Sequence, residues 1–212
     1  DARGNITAIL SRKPVQLGWM QNFIDHLVEG DIIDARVTHL EKFGAFIDIG
    51  AGINALIPID MLSVSRINHP RERVYEGECI KVVLRKREPE KLTFSLKELL
   101  GTWSENAMMF APGETVTGTV RSIETYGVFV ELTPNLAGLA EPCDYLFEGQ
   151  RVAVYIKSVL PDKMKIKLVI VEAFEEADMA QDLTYFVNAD HIDRFDYSPP
   201  GAPKVISTVF ES

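Results

Sequence analysis

The sequence contains few of the residues from which catalytic and metal sites are commonly built. Among its 212 residues are only two cysteines and four histidines. Cys79 and Cys143 occupy non-equivalent places and show neither metal-ligand spacing nor a disulfide framework, which favours a reducing cytoplasm. The chain also lacks a Gly-rich phosphate loop, a His-x-x-x-His motif and a nucleophile elbow. We therefore expect a binding protein rather than an enzyme, with no catalytic residues, no cofactor and no metal.

Long apolar runs and excess positive charge are missing as well. No stretch is long enough to span a membrane and no signal peptide is visible, so we expect no membrane association. The formal net charge is −9, and a protein that binds a polyanion needs local positive charge. Acidic residues are concentrated late in the chain, with net charges of −2 over 29–112 and −4 over each of 113–176 and 177–212. The basic residues of the first half cluster along one predicted strand: Lys81, Arg85, Lys86, Arg87 and Lys91.

What the chain does contain is an internal repeat. Residues 30–58 align without a gap with residues 113–141, at an offset of 83. Identical pairs are Gly30/Gly113, Val37/Val120, Glu41/Glu124, Gly44/Gly127, Phe46/Phe129 and Leu56/Leu139. The register resumes at Gly77 and Gly149 at an offset of 72, so the second copy lacks eleven residues and the insert 61–76 belongs to the first copy alone. A repeat of this kind indicates two similar structural units.

Alternation of apolar and polar residues predicts the fold of each unit. Ile33, Ala35 and Val37 alternate with polar residues, which is the period of a strand with one buried face. Similar runs recur, giving about five short strands in roughly 65 residues, which is typical of a small closed barrel. We therefore predict a mainly β protein: tandem five-stranded antiparallel OB-fold barrels joined by short helices, with a C-terminal strand and turn extension.

The predicted domain boundaries follow the repeat. Residues 1–28 form the end of a truncated upstream barrel (a strand at 5–10) plus a linking helix, 29–96 the first barrel, 97–112 a linker helix, 113–172 the second barrel and 173–212 an acidic extension. Helices are expected at 15–27 and 97–110, with Trp19 and Trp103 packed against an adjacent barrel. In the extension, 183–187 resembles a strand. His191, Asp193 and Asp196 have the types of metal ligands, but their spacing favours a polar turn.

Two phenylalanines break the alternation of their strands. Phe46 falls opposite the core phase set by Ala45 and Ile47, and Phe129 does the same in the second copy. Each ring is therefore expected on the solvent face, where an aromatic bordered by basic residues suits stacking against an unpaired base. The alternative is a ring covered by a neighbouring loop or domain. Recurrence at the same position in both copies favours stacking.

A second aromatic residue precedes each of these phenylalanines. Phe43 and Tyr126 occupy equivalent positions, three residues before Phe46 and Phe129. By counting along the strand both fall in the core phase. Only a bend at the glycine that follows each of them would turn these rings outward, so their role is left open at this level.

Both copies resemble the RNA-binding repeat of the bacterial ribosomal protein S-one (S1) family, a five-stranded OB barrel. That family combines a Val-x-Gly-x-Val strand, an aromatic-Gly-x-Phe-Val-Asp strand, a Gly-Leu-Val-His-Ile segment and a closing strand near Leu-Ser. The matching segments are 35–37, 43–48, 55–59 and 92–95, then 118–120, 126–131, 138–142 and 165–168. The family's histidine is replaced by Pro58 and Glu141, and its acidic residue before the last strand by Arg87 and Leu160.

The resemblance covers most of residues 11–172 and implies binding of single-stranded RNA, typically mRNA, in translation. We expect a cytoplasmic bacterial protein, a monomer that also contacts the small ribosomal subunit. The candidate RNA-binding residues are Arg36, His39, Phe43, Phe46, Lys81, Arg85, Arg87, Lys91, Arg121, Tyr126 and Phe129. The alternative is a protein-docking adaptor built from degenerate barrels of this type, whose acidic second barrel and tail face a basic partner.

The two barrels are not expected to contribute equally. In the first barrel, Phe46 has several basic residues in the same copy. In the second, Glu131 and Glu141 follow Phe129 at positions where carboxylates would repel phosphate. The sequence therefore predicts that the first barrel is the main RNA platform.

Overall fold

A computed structural model of the chain describes residues 13–89, 91–177 and 183–210. The strand expected at 5–10 lies outside these residues, as does part of the acidic stretch that follows the second barrel. Most described residues belong to two closed β-barrels of five strands each, followed by a small two-stranded sheet. This architecture confirms the predicted fold class.

The first barrel is built from the first five strands of the chain. They are β1 (Ile32–Glu41), β2 (Gly44–Asp48), β3 (Asn54–Pro58), β4 (Cys79–Glu88) and β5 (Lys91–Ser95). The strands close in the order β1-β2-β3-β5-β4, and every pair is antiparallel except β3 with β5. Inward side chains that are at most 1% exposed include Val37, Ile47, Ile57, Leu84 and Phe94. The alternation read from the sequence thus places the apolar face in the barrel interior.

The second barrel repeats this plan. Its strands are β6 (Thr115–Glu124), β7 (Gly127–Thr133), β8 (Leu136–Ala140), β9 (Gln150–Leu160) and β10 (Lys165–Ala177). The order is β6-β7-β8-β10-β9, again with one parallel pair, β8 with β10. The core residues that are at most 1% exposed include Val128, Val130, Val154, Ile156 and Ile166. Strand β10 continues five residues past the expected end of the barrel at residue 172.

The N-terminal helix is shorter than the predicted 15–27. It consists of α1 (Lys13–Asn22), followed by a 3-10 turn at Ile24–His26. No side chain of α1 is buried. The helix meets the first barrel through Trp19, whose indole Nε1 donates to the backbone oxygen of Ile49 over 3.2 Å. The helix α1 therefore contacts the barrel only at its surface, whereas Ile24 of the 3-10 turn is buried against it.

The linker between the barrels is not the continuous helix predicted at 97–110. A 3-10 turn at Lys97–Leu99 is separated from a short helix, α2 (Trp103–Ala107), by Gly101 with a φ of +84°. This left-handed conformation interrupts a helix and suits glycine. Thr102 then caps α2 by accepting from the Glu105 backbone N–H over 3.2 Å. The break lets α2 enter the second barrel with its tryptophan 3% exposed.

The C-terminal strap, defined as residues 183–210, lies across the outside of both barrels. It contains two short antiparallel strands, β11 (Arg194–Asp196) and β12 (Ser207–Val209). The strand expected at 183–187 is absent. Residues 183–187 form single backbone hydrogen bonds instead of a strand ladder. One example is the Phe186 N–H, which donates to the oxygen of Leu99 in the linker turn over 2.9 Å.

Contacts of the strap with both barrels make it a structural bridge. On the first barrel, the Ile32 N–H donates to the Asp190 oxygen over 2.8 Å. At the second barrel, the Trp103 N–H donates to the Tyr197 oxygen over 3.0 Å, and the Tyr197 hydroxyl donates to the Asn135 oxygen. Burial raises the pKa of Tyr197. The strap therefore adds buried polar and aromatic contacts to both units.

The insert 61–76 fills the space between the barrels. The Val64 N–H donates to Asn135 Oδ1 over 2.9 Å, and the Ser65 N–H donates to the Pro134 oxygen over 3.1 Å. Both acceptors belong to the turn between β7 and β8 of the second barrel. The segment that only the first copy possesses is thus its docking surface for the second copy.

Candidate nucleic-acid interface

The first barrel presents a pair of aromatic rings on the hairpin of β1 and β2. Phe43 is 56% exposed and Phe46 is half-buried. The rings meet edge to face, with centroids 5.9 Å apart and planes at 88°. Between them a Cβ at Gly44 would lie 2.3 Å from the backbone oxygen of Ile57. Only glycine allows this approach of β2 to β3, and Phe43 lies just before it in the turn between β1 and β2.

The second barrel carries the same arrangement on the hairpin of β6 and β7. Tyr126 is 63% exposed, and its ring lies 6.2 Å from that of Phe129 at an interplanar angle of 88°. A Cβ at Gly127 would lie 2.4 Å from the backbone oxygen of Ala140. Both aromatic pairs are therefore outward, and Phe43 and Tyr126 each lie in the turn of their hairpin, just before the strand that begins with the glycine.

Strand register shows what surrounds each half-buried ring. Phe46 lies between His39 on β1 and Leu56 on β3. Phe129 lies between Ser122 on β6 and Leu139 on β8. Each ring thus has an aliphatic neighbour on one side and a polar neighbour on the other. Flat apolar surface with a polar border fits the face and edge of a nucleobase.

His39 is exposed beside Phe46 and is held by two carboxylates. Its Nε2 lies 3.0 Å from Glu41 and its Nδ1 lies 2.9 Å from Glu76. Hydrogen bonds to the two carboxylates raise the pKa of this imidazole, and the bond to Glu41 has a larger effect than the bond to Glu76. Because two carboxylates face one imidazole, even protonated His39 brings no net positive charge to the border of the platform.

The basic residues expected along β4 are engaged elsewhere. Lys81 lies 3.6 Å from Asp34 across β1 and β4. The Arg85 guanidinium lies 5.6 Å from the ring centroid of Phe210 and donates to the Val209 oxygen over 3.4 Å. These contacts direct Arg85 toward the C-terminal strap rather than toward Phe46.

Arg87 is also occupied by a structural contact. Its guanidinium donates to the backbone oxygens of Ile24 and Leu27, each over 2.9 Å, and lies 3.3 Å from Asp25. The side chain therefore joins the turn after α1 to the barrel through two backbone carbonyls and one carboxylate. Of the other candidates, Arg36 and Lys91 are exposed, on β1 and at the start of β5.

Arg121 does not lie on the exposed surface that the sequence suggested. Its side chain is 10% exposed and forms two bonds to Glu131, at 2.9 and 3.0 Å, and one to Glu72 of the insert. Glu131 is itself 7% exposed. The expected repulsion of phosphate by this carboxylate is therefore wrong, since two arginines, Arg73 and Arg121, neutralise it.

Two lysines that sequence reasoning missed border the second platform. Lys167 pairs with Leu139, the neighbour of Phe129, and Lys165 precedes it on the same exposed side of β10. Within the described ranges, neither ammonium group is within ion-pair distance of a carboxylate. The alternation of these lysines with the buried residues Ile166 and Leu168 was the available signal.

His191 takes part in the strap rather than in a metal site. Its Nδ1 lies 2.7 Å from Asp31 and its Nε2 lies 3.2 Å from Asp193. The part of the chain that the structure describes contains no group of histidine, cysteine and carboxylate side chains able to hold a metal ion. In the same residues, no helix has the length and apolar character needed to cross a membrane.

Two closed barrels of this strand order, each with an outward aromatic pair on the equivalent hairpin, define a tandem OB-fold protein. The profile of the S1 RNA binding domain matches residues 27–97, the first barrel with its entry turn. The small ribosomal subunit protein bS1 of Staphylococcus epidermidis is 35% identical over 78% of this chain and 47% of its own length. The bS1 homolog of Bacillus subtilis is 33% identical over 84% of this chain and 50% of its own length. The chain belongs to the family of S1-domain proteins that includes bacterial ribosomal protein bS1.

The chain spans about half the length of the curated relatives it matches. Among solved structures, a multidomain protein with nucleic acid binding domains from Streptococcus pneumoniae is 16% identical and gives a TM-score of 0.34. That comparison covers 72% of this chain and 57% of the other. At this score the likeness adds nothing to the family assignment, which depends on the sequence relatives and the matched domain.

Proposed function

We propose that this protein binds single-stranded RNA by stacking unpaired bases on its two aromatic pairs. The observation that carries the proposal is the duplication of the edge-to-face pair, Phe43 with Phe46 and Tyr126 with Phe129, at equivalent and exposed hairpins. Stacking of a base on an aromatic ring contributes about 1–3 kcal/mol and tolerates any base. Two platforms therefore support binding with little sequence preference.

The chemistry of the surface favours stacking over charge as the main source of affinity. The net charge is −9, and several arginines are used in internal contacts. A protein that makes few phosphate contacts loses affinity only gradually as salt is raised. We therefore expect a shallow salt dependence for this chain compared with strongly basic RNA-binding proteins.

The biological setting follows from the relatives, which are named as proteins of the small ribosomal subunit. We propose that the chain acts in translation in the bacterial cytoplasm, as a monomer that holds mRNA at the small subunit. It leaves the RNA chemically unchanged and needs no cofactor. RNA recovered after incubation at full length, with or without a chelator, is the result expected for a protein that only binds.

The test is a titration of the chain with a fluorescent, unstructured oligoribonucleotide of about 16 nucleotides, the upper site size of an OB fold. Anisotropy is measured at two salt concentrations, and a duplex of the same sequence serves as the control. Saturable binding to the single strand, weakened by Phe→Ala changes at the platforms, is expected. Equal binding to the duplex, or none to either, would overturn the proposal and favour the docking adaptor.

A further inference from the structure

The insert of the first barrel lies against the same outer face of β7 that carries Phe129. Phe129 and Glu131 are two residues apart on β7 and both are outward, whereas Val130 between them is fully buried. Two residues of a strand span about 7 Å. Whatever covers Glu131 therefore borders the aromatic platform of the second barrel.

Glu131 is covered by a network of charges from both barrels. Arg73 of the insert is 3% exposed, bonds to Glu131 and donates from Nε to the Ser63 hydroxyl over 2.9 Å. Arg121 of β6 bonds to the same carboxylate and to Glu72 of the insert. The network fixes the turn at Pro70–Glu72 on top of β6 and β7.

The position of Arg121 shows how close this turn is to the platform. Arg121 immediately precedes Ser122, the residue that pairs with Phe129 across β6 and β7. Since Glu72 contacts the Arg121 guanidinium, the insert reaches the row of residues next to Phe129. A further contact, from Asn68 Nδ2 to Glu148 over 3.4 Å, ties the insert to the loop before β9.

Two arginines of the insert are left on its surface. Arg66 and Arg71 are both exposed, and within the described ranges neither lies within ion-pair distance of a carboxylate. Arg71 is the direct neighbour of Glu72 in the docked turn. Arg71 therefore belongs to the part of the insert that docks beside the second platform, whereas Arg66 follows Ser65, which bonds to Pro134 just past the far end of β7.

We infer that the second platform is a composite site, in which the first barrel's insert supplies Arg71 to the phosphates of RNA stacked on Tyr126 and Phe129. The inference rests on the RNA-binding function proposed above. Guanidinium groups bind phosphate through paired charge-assisted hydrogen bonds. A strand stacked on the rings places its backbone at their border, where the insert lies. The insert thus both joins the barrels and completes the second site.

The test compares Arg71→Gln with Arg66→Gln and Lys204→Gln in binding the same oligoribonucleotide. Both controls remove one exposed positive charge, Arg66 from another part of the insert and Lys204 from the strap. A lost phosphate contact should reduce the salt slope by up to about 0.7 for single-stranded RNA. Arg71→Gln should therefore lose up to about 0.7 in slope, whereas both controls should keep the parent slope.

Coupling to the aromatic rings identifies the site that Arg71 serves. Residues that share one site show non-additive effects, whereas distant residues add. In a Phe129→Ala background Arg71→Gln should have a smaller effect than in the parent. In a Phe46→Ala background its effect should be unchanged. Melting temperatures equal to the parent are expected because all substituted arginines are exposed.

Separate outcomes overturn the two proposals. If the parent chain does not bind the single strand, the proposed function fails. If the parent binds but Arg71→Gln keeps the slope and affinity of Lys204→Gln, the composite site is wrong and the proposed function stands. Coupling of Arg71 to Phe46 instead of Phe129 would also overturn the composite site.

Discussion

At the scale of single residues, Phe43 and Tyr126 are exposed because each lies in the two-residue turn of its hairpin rather than in a strand. The glycine that follows each of them allows the two neighbouring strands to approach, since a backbone oxygen lies where a Cβ would stand at Gly44 and Gly127. The alternation along a strand does not extend to a turn residue, which is why it placed these two rings on the core side.

Both half-buried rings should matter for RNA binding. The reasons for ranking the first platform higher are weakened, because Glu131 is buried and the cations of β4 are engaged. We expect Phe46→Ala and Phe129→Ala each to weaken binding by about 5- to 150-fold, the equivalent of about 1–3 kcal/mol per stacked base. Anisotropy titrations measure this, with melting temperature as the control for folding. A loss confined to one variant would contradict two working platforms.

The buried carboxylate of Glu131, between the barrels, should contribute far more to stability than the exposed carboxylate of Glu141. Glu131→Ala leaves Arg73 and Arg121 buried without their shared partner. Burial already lowers the pKa of Arg73. Removing one member of a buried ion pair costs about 3–5 kcal/mol, so a large fall in melting temperature is expected. Glu141→Ala, at an exposed position of the same barrel, should leave the melting temperature unchanged.

At the scale of elements, β4 of the first barrel and β10 of the second both carry cations, although they are not equivalent strands of the repeat. The strap lies over β4 and contacts Arg85, whereas Lys165 and Lys167 on β10 remain exposed. Cations on predicted strands therefore lie on a covered surface in one barrel and on an open surface in the other. Which cations are available to RNA is decided by a segment about 120 residues further along the chain.

The strap should dock less firmly as pH rises. Hydrogen bonds to Asp31 and Asp193 raise the pKa of His191, and the bond to Asp31 has the larger effect. A raised folded-state pKa gives stability that is fully present below the unfolded value of about 6.5 and lost as pH rises through the folded value. Protection factors of the strap amides, in which exchange rates are corrected for the intrinsic base catalysis, should therefore fall above about pH 6.5 in the parent. His191→Asn should remove this step, whereas His26→Asn should retain it.

At the scale of the whole molecule, the insert and the strap join the barrels into one unit. Buried contacts of the strap reach both cores, through Tyr197 at the second barrel and Thr208, whose hydroxyl donates to buried Glu98 over 2.9 Å. The ion network of the insert adds a second buried connection. Relative motion of the barrels would break buried polar bonds, which is costly.

The chain should accordingly unfold in a single transition. Calorimetry of the full chain is expected to show one unfolding peak. Its calorimetric and van't Hoff enthalpies should agree, which is the criterion for two-state behaviour. Removal of residues 183–212 together with Glu131→Ala should separate the peak into two, one for each barrel. Two peaks in the parent would show that the barrels fold independently and that the buried connections contribute little.

The sequence by itself determined the repeat, the ten barrel strands and the outward position of Phe46 and Phe129. These features depend on local alternation, which reports directly on which face of a strand is buried. Short stretches of chain carry that information, and the duplication allowed each reading to be checked against the other copy.

Tertiary structure alone decided which charges are free. The alternation in the sequence does not reveal that Arg121 contacts Glu72 or that Arg85 lies over the ring of Phe210. It also does not reveal that Arg87 bonds to the turn after α1. These partners lie 49 to 125 residues away or belong to segments without a periodic pattern. A charged side chain looks alike in sequence whether it is solvated or buried, because the difference depends on what folds back over it.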